Sequence, residues 1–130
     1  MNHMQLMKAF YDMRQRHFRD LKVQWDIEWQ GSYWLFQNFR NWSRTKGSGA
    51  VALSEVCHLA DRAGATIVLW SSVERLHVYY ESFGFKRESD RPDRHGVMRF
   101  RREPDLASPP HRLNAAVRWP RHHLRSHRLE

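Results

Sequence analysis

Apolar side chains recur at helical spacing over residues 4–21: Leu6, Phe10, Met13 and His17 form one stripe, with Met7, Tyr11 and Phe18 beside it. Lys8, Asp12, Arg14, Arg16 and Arg19 fill the other side, so the pattern predicts an amphipathic helix lying on a sheet. The period then drops to two. Over residues 22–29, Val23, Trp25, Ile27 and Trp29 alternate with Gln24, Asp26 and Glu28, the signature of a strand with one buried face. Gln30, Gly31 and Ser32 give a turn signal, and residues 33–39, apolar at most positions, read as a central strand closing an antiparallel hairpin.

Residues 49–62 return to helical spacing, with Val51, Leu53, Val56, Leu59 and Ala60 on one face and Glu55, His58, Asp61 and Arg62 on the other. Gly64 is a natural stop for this helix. Cys57 falls inside it and reads as a small buried filler. Residues 66–70 are short, β-branched and almost wholly apolar, which predicts a strand buried on both faces in a sheet flanked by helices. Residues 73–82 carry Leu76, Tyr79 and Tyr80 at helical spacing, with Phe83 following and Gly84 ending the element. Residues 85–87 and 97–101 then pair as strands across a polar loop at 88–96. These elements predict an α+β fold of three layers, in which helices flank a mixed, mostly antiparallel sheet.

Beyond Arg102 the periodicity stops. Prolines and clustered Arg and His residues predict a compact domain over residues 1–102 and a basic, disordered or loosely docked tail over 103–130. The chain of 130 residues suffices for one domain. Its net charge of +8 invites a nucleic-acid reading. Half of that excess sits after Phe100, where seven arginines face three acidic residues. What remains suits a protein that binds a polyanionic cofactor, or a solvated surface. His111, His122, His123 and His127 match no metal-ligand spacing. The single cysteine excludes an internal disulfide, and no apolar run approaches the ~20 residues of a membrane span. Both features lead us to expect a cytoplasmic protein without membrane contact.

One stretch carries candidate chemistry. Ser43-Arg44-Thr45-Lys46-Gly47-Ser48-Gly49-Ala50 links the second strand to the second helix. Glycines let a backbone curl until several N–H groups share one focus, and a helix N-terminus adds its free N–H groups and positive dipole end. Arg44 and Lys46 add formal charge. Such a turn can cradle a phosphate or pyrophosphate; it can equally be a plain helix-capping turn. A Walker A reading fails, because Lys46 precedes Gly47 instead of following the last glycine.

The order of strand, Arg44-x-x-Gly47-x-Gly49, helix, buried strand, and a helix ending Tyr80-Glu81-Ser82-Phe83-Gly84-Phe85 resembles the GNAT family of N-acetyltransferases. The likeness covers roughly residues 33–101 and, in size, is similar to the compact members found in phage genomes. It implies a GNAT-like sheet whose two central strands splay apart. It also implies acetyl-CoA as cofactor, with its pyrophosphate on the turn from Arg44 through Thr45, Lys46, Gly47, Ser48 and Gly49 to Ala50. The pantetheine arm would lie between the splayed strands near Phe39, and Ser71 would be a further cofactor contact. Tyr80 matches the family's general acid, which protonates the departing thiolate; the other reading of Tyr80 is a core tyrosine. The strand before the loop offers no carboxylate as general base. Asp26 and Glu28 on the neighbouring strand are the candidates, or else simply solvent-facing carboxylates.

The resemblance implies an acetyl-CoA-dependent N-acetyltransferase that uses a primary amine of a small molecule or a protein lysine as acceptor, without a covalent enzyme intermediate. There are departures. Near Val73 the family often has a cofactor-contacting asparagine. Only one helix precedes the hairpin, where two usually build a wall of the acceptor site; the site is then open, or a second subunit in a homodimer completes it. The other function class is a catalytically degenerate GNAT fold that binds protein or, through the basic tail, nucleic acid.

Overall fold

A computed structural model describes residues 1–106. The first helix, α1 (His3–Arg16), opens with a reciprocal cap: Asn2 Oδ1 accepts from the Gln5 N–H, and Gln5 Oε1 accepts from the Asn2 N–H, both at 2.8 Å. The α-helical ladder ends at Arg16. The chain then widens into one π-helical turn, His17–Leu21, and leaves through Lys22 at φ 57°. That turn aims His17 fully inward. Its Nδ1 accepts the Trp25 indole N–H at 2.9 Å, so Nε2 carries the proton it shares with Glu55 at 3.2 Å. Of the predicted stripe, Leu6, Phe10 and His17 are buried and Met13 is half-buried. Met7, Tyr11 and Phe18 face solvent.

Among the described residues five strands form one sheet in the order β1-β2-β3-β5-β4. Strands β1 (Val23–Trp29) and β2 (Trp34–Asn41) make the predicted antiparallel hairpin. The helix α2 (Ser48–Ala63) returns the chain to β3 (Ile67–Ser71), which runs parallel to β2. A 3-10 turn, Glu74–Leu76, leads into α3 (His77–Glu81), so the predicted helix over 73–82 is half 3-10 and half α. Short β4 (Lys86–Arg87) pairs antiparallel with β5 (Met98–Arg102), and β5 pairs along the whole of β3.

The three α-helices of the described residues pack on one face of this sheet. Phe10 of α1 meets Trp25 and Trp34, His77 and Tyr80 of α3 meet Phe100, and Asp61 of α2 meets Arg102. Strand alternation and register put Trp25, Trp34, Ile67, Leu69, Phe100 and Arg102 on that same face. The expectation of a three-layer sheet flanked by helices is therefore corrected: among the described residues the fold has two layers. Tyr33, Leu35, Gln37, Val68, Trp70, Arg99 and Arg101 lie on the face without helices. Val68 is buried there, yet Trp70 is 48% exposed, so β3 is not covered on both sides. The α+β assignment and the mostly antiparallel sheet agree with the sequence reading. No described helix is long and apolar enough to cross a membrane.

The fold continues a little past Arg102. Glu103 accepts from Thr66 Oγ1 at 2.8 Å, and the Asp105 N–H donates to Asp61 at 2.8 Å. The rest of the predicted basic tail, with its histidines and its nucleic-acid reading, lies outside the described residues.

Glu55 joins α2 to the π-turn. Its carboxylate is held at about 2, first by the His17 hydrogen bond and then by Arg16 at 3.0 Å, against the opposing effect of burial. A carboxyl group whose folded value lies below its unfolded one stabilises fully above the unfolded value of about 4.5. That contribution is lost as pH falls towards 2. Glu55→Gln should cost about 1–2 kcal/mol at neutral pH, since the partly solvated carboxylate is screened. It should also flatten the acid limb of stability, a change read by urea unfolding at neutral pH and again near pH 3. An unchanged acid limb would mean that the pair contributes nothing.

Candidate functional site

Strands β2 and β3 pair at only two positions, Trp34↔Ile67 and Leu35↔Val68, and part beyond them. Two features drive them apart. In β2, Asn38 and Phe39 together oppose the single residue Trp25, and Asn38 adopts φ 57°; such a bulge bends and twists a strand. On the other side, β3 stays bound to β5 through Ser71↔Met98. A cleft of about 350 Å³ opens where the strands diverge. It cuts through the sheet. Phe36, Phe39, Leu69 and Tyr80 line it from the helical face, and Leu35, Gln37 and Trp70 from the other. From Phe36 to Arg40 the β2 backbone has no ladder partner on the β3 side.

Tyr80 reaches this cleft because of how α3 ends. The N–H groups of Phe83 and Phe85 both return to the Tyr80 carbonyl, at 3.0 and 3.3 Å, around Gly84 at φ 94°. A Cβ at Gly84 would also come within 3.3 Å of Arg102 Nε. Position 84 thus needs glycine on two counts. The Tyr80 ring is buried against Phe85 and Phe100. Its neighbour Tyr79 points elsewhere, onto Phe83, where burial raises its hydroxyl's pKa well above the ordinary value. Tyr79 is a core residue.

The glycine turn leaves the cleft end of β2. It braces itself: Asn41 Oδ1 accepts from the Ser43 N–H at 2.8 Å, Ser43 Oγ accepts from the Thr45 N–H at 2.9 Å, and Ser48 Oγ donates to the Thr45 carbonyl at 3.2 Å. Gly47 is the N-cap of α2, at φ 88°, and no side chain caps the first turn. That turn contains no acidic residue, and Arg44, Thr45 and Lys46 are exposed beside it. Ser48, Gly49 and Ala50 are buried within the turn; they could offer backbone N–H groups only.

The two carboxylate candidates stand one side chain back from the cleft. Asp26 is paired with Arg14 at 2.7 Å and accepts from Asn38 Nδ2 at 2.9 Å. Glu28 is exposed and accepts from Gln37 Nε2 at 3.3 Å. Neither lines the cleft; Asn38 and Gln37 do. Ser71 is also away from the cleft, buried in the core with its hydroxyl on the Val73 N–H and carbonyl. Ser72 lines the cleft in its place. The sequence reading passed over Gln37, Asn38, Arg40, Trp70, Ser72 and Val97, all of which line the cleft. Period-two alternation along β3 was the available signal for the serines and for Trp70. It puts Ser71 on the buried face with Ile67 and Leu69, and Trp70 on the other.

No family model matches the chain, and no curated protein or solved structure matches it.

Proposed function

We propose that the protein is an acetyl-CoA-dependent N-acetyltransferase of the GNAT kind that acts on a primary amine. The observation that carries this reading is the cleft between diverging parallel strands, with Tyr80 on one wall and the uncapped start of α2 at the carboxyl end of β2. Ligands of open α/β sheets lie beyond the carboxyl ends of parallel strands, where helix N-termini converge. The residues fit the cofactor. The first-turn N–H groups of α2, with Arg44 and Lys46, suit a pyrophosphate. The unpaired β2 backbone near Phe39 suits the two amides of a pantetheine arm. Acetyl-CoA bound there would supply an activated acetyl thioester. Tyr80 would hold a proton at Oη for the leaving sulfur. Gln37 and Asn38, braced by Glu28 and Asp26, would face the incoming amine, and water beside Glu28 would take its proton.

Calorimetry with acetyl-CoA tests the reading. The wild type should bind saturably, and the double variant Arg44→Glu/Lys46→Glu should bind at least about tenfold more weakly, because both reversed charges lie against the pyrophosphate. Both side chains are exposed, so the fold should be untouched. Absence of binding at millimolar acetyl-CoA would overturn the assignment.

A further inference from the structure

We infer that Trp70 is the platform for the acceptor, and that the acceptor is an amine carried on an aromatic or apolar body, not a polycation. The inference rests on the acetyltransferase reading and deepens it by naming the acceptor class. Trp70 stands on the central strand β3, between neighbours that are buried, yet is 48% exposed. Its position is fixed from one side. The Arg99 guanidinium lies 5.5 Å from the Trp70 ring centroid and 5.2 Å from that of Tyr33, and is ion-paired to Glu88. Such stacking orients a ring while leaving its remaining surface in water. That surface borders the cleft mouth on the face without helices, where Leu35 and Val97 add apolar wall and Gln37 and Asn38 line the cleft with their amides.

The charges at this mouth select further. Arg40 is the sole charged side chain lining the cleft among the described residues. Asp26 is already neutralised by Arg14, and Glu28 is set behind Gln37. Beside Trp70 the Glu88 carboxylate is already paired with Arg99, and a polyamine or an aminosugar would bring several ammonium groups to a cleft with no carboxylate in its wall and Arg40 to repel them. An arylalkylamine brings one, which it must lose in any case to become a nucleophile. Its flat body can lie on the indole.

The test uses the full chain, with acetyl-CoA, phenethylamine and spermidine as probes. Thiol release should be at least about tenfold faster, as kcat/KM, with phenethylamine than with spermidine. Trp70→Ala should raise the KM for phenethylamine about tenfold with kcat little changed, and Trp70→Phe should restore most of it. Saturation-transfer NMR in the presence of coenzyme A should show the phenyl protons of phenethylamine in contact with the wild type and not with Trp70→Ala. Far-UV circular dichroism should be the same in all three proteins and reports that the fold is intact. If acetyl-CoA binds but spermidine is preferred, or phenethylamine gives neither turnover nor saturation transfer, the acceptor assignment is wrong while the acetyltransferase reading stands. An unchanged KM and an unchanged NMR signal in Trp70→Ala would likewise remove Trp70 from the site. Failure of acetyl-CoA to bind would remove both.

Discussion

Replacing Arg102 with alanine should lower the unfolding free energy by about 3–5 kcal/mol. Its guanidinium donates to both oxygens of Asp61, at 2.6 and 3.0 Å, and through Nε to the Phe83 carbonyl at 2.7 Å. Both partners are nearly closed to solvent. Removing the cation leaves a buried carboxylate that still accepts from the Asp105 N–H. A small domain has a total stability of about 5–15 kcal/mol, so the variant would sit close to its unfolding threshold. Arg102→Met combined with Asp61→Leu should recover a large part of the loss, because the pair then disappears together with its desolvation cost. Urea unfolding of the three proteins measures both effects. A loss below about 1 kcal/mol for Arg102→Ala would show that the clamp is worth no more than a surface pair. The clamp also bears on the site. It fixes the Phe83 carbonyl one residue before Gly84, in the turn that aims Tyr80 into the cleft.

Much of this arrangement is legible in the chain, for reasons that differ between elements. The β1 alternation of Val23, Trp25 and Ile27 against Gln24, Asp26 and Glu28 is a strong signal, because one face of that strand packs on α1 and the other has no helix over it among the described residues. Gly47, Gly64 and Gly84 mark helix ends legibly, since each adopts a positive φ that other residues resist. The bulge at Asn38 is not legible. It sits in a run of apolar and amide residues, and its position follows from register against β1, which no local pattern encodes. The π-turn at His17 is hidden for a similar reason: its spacing looks helical, and tertiary bonds to Trp25 and Glu55 pull it wider. Trp70 misleads because a five-residue apolar run suggests burial on both faces. The carboxylates mislead in the opposite way. Their period puts Asp26 and Glu28 on the face opposite Trp25, but only the structure shows them hydrogen-bonded to Asn38 and Gln37, which line the cleft.

Tyr80→Phe should reduce acetyl transfer by about 10²–10⁴-fold, the range expected when a positioned proton donor is lost. The substitution removes one oxygen and keeps the ring. Ring contacts with Tyr79, Phe85 and Phe100, at centroid distances of 5.7, 6.2 and 5.8 Å, can therefore persist, and stability should change by about 1 kcal/mol or less. Acetyl-CoA affinity should be nearly unaltered, because the substitution takes a single hydroxyl from the cleft wall and leaves the pyrophosphate turn and the β2 backbone in place. The effect would then fall on kcat and not on binding, which separates a proton role from a merely structural one. Tyr79→Phe is the matched control. That ring lies on the same short helix but packs onto Phe83 within the core, so its loss of a hydroxyl should leave turnover within about twofold. Thiol release and calorimetry on both variants decide the matter. Full turnover in Tyr80→Phe would take this residue out of the chemistry. Equal losses in both variants would instead attribute the effect to disturbed packing of α3.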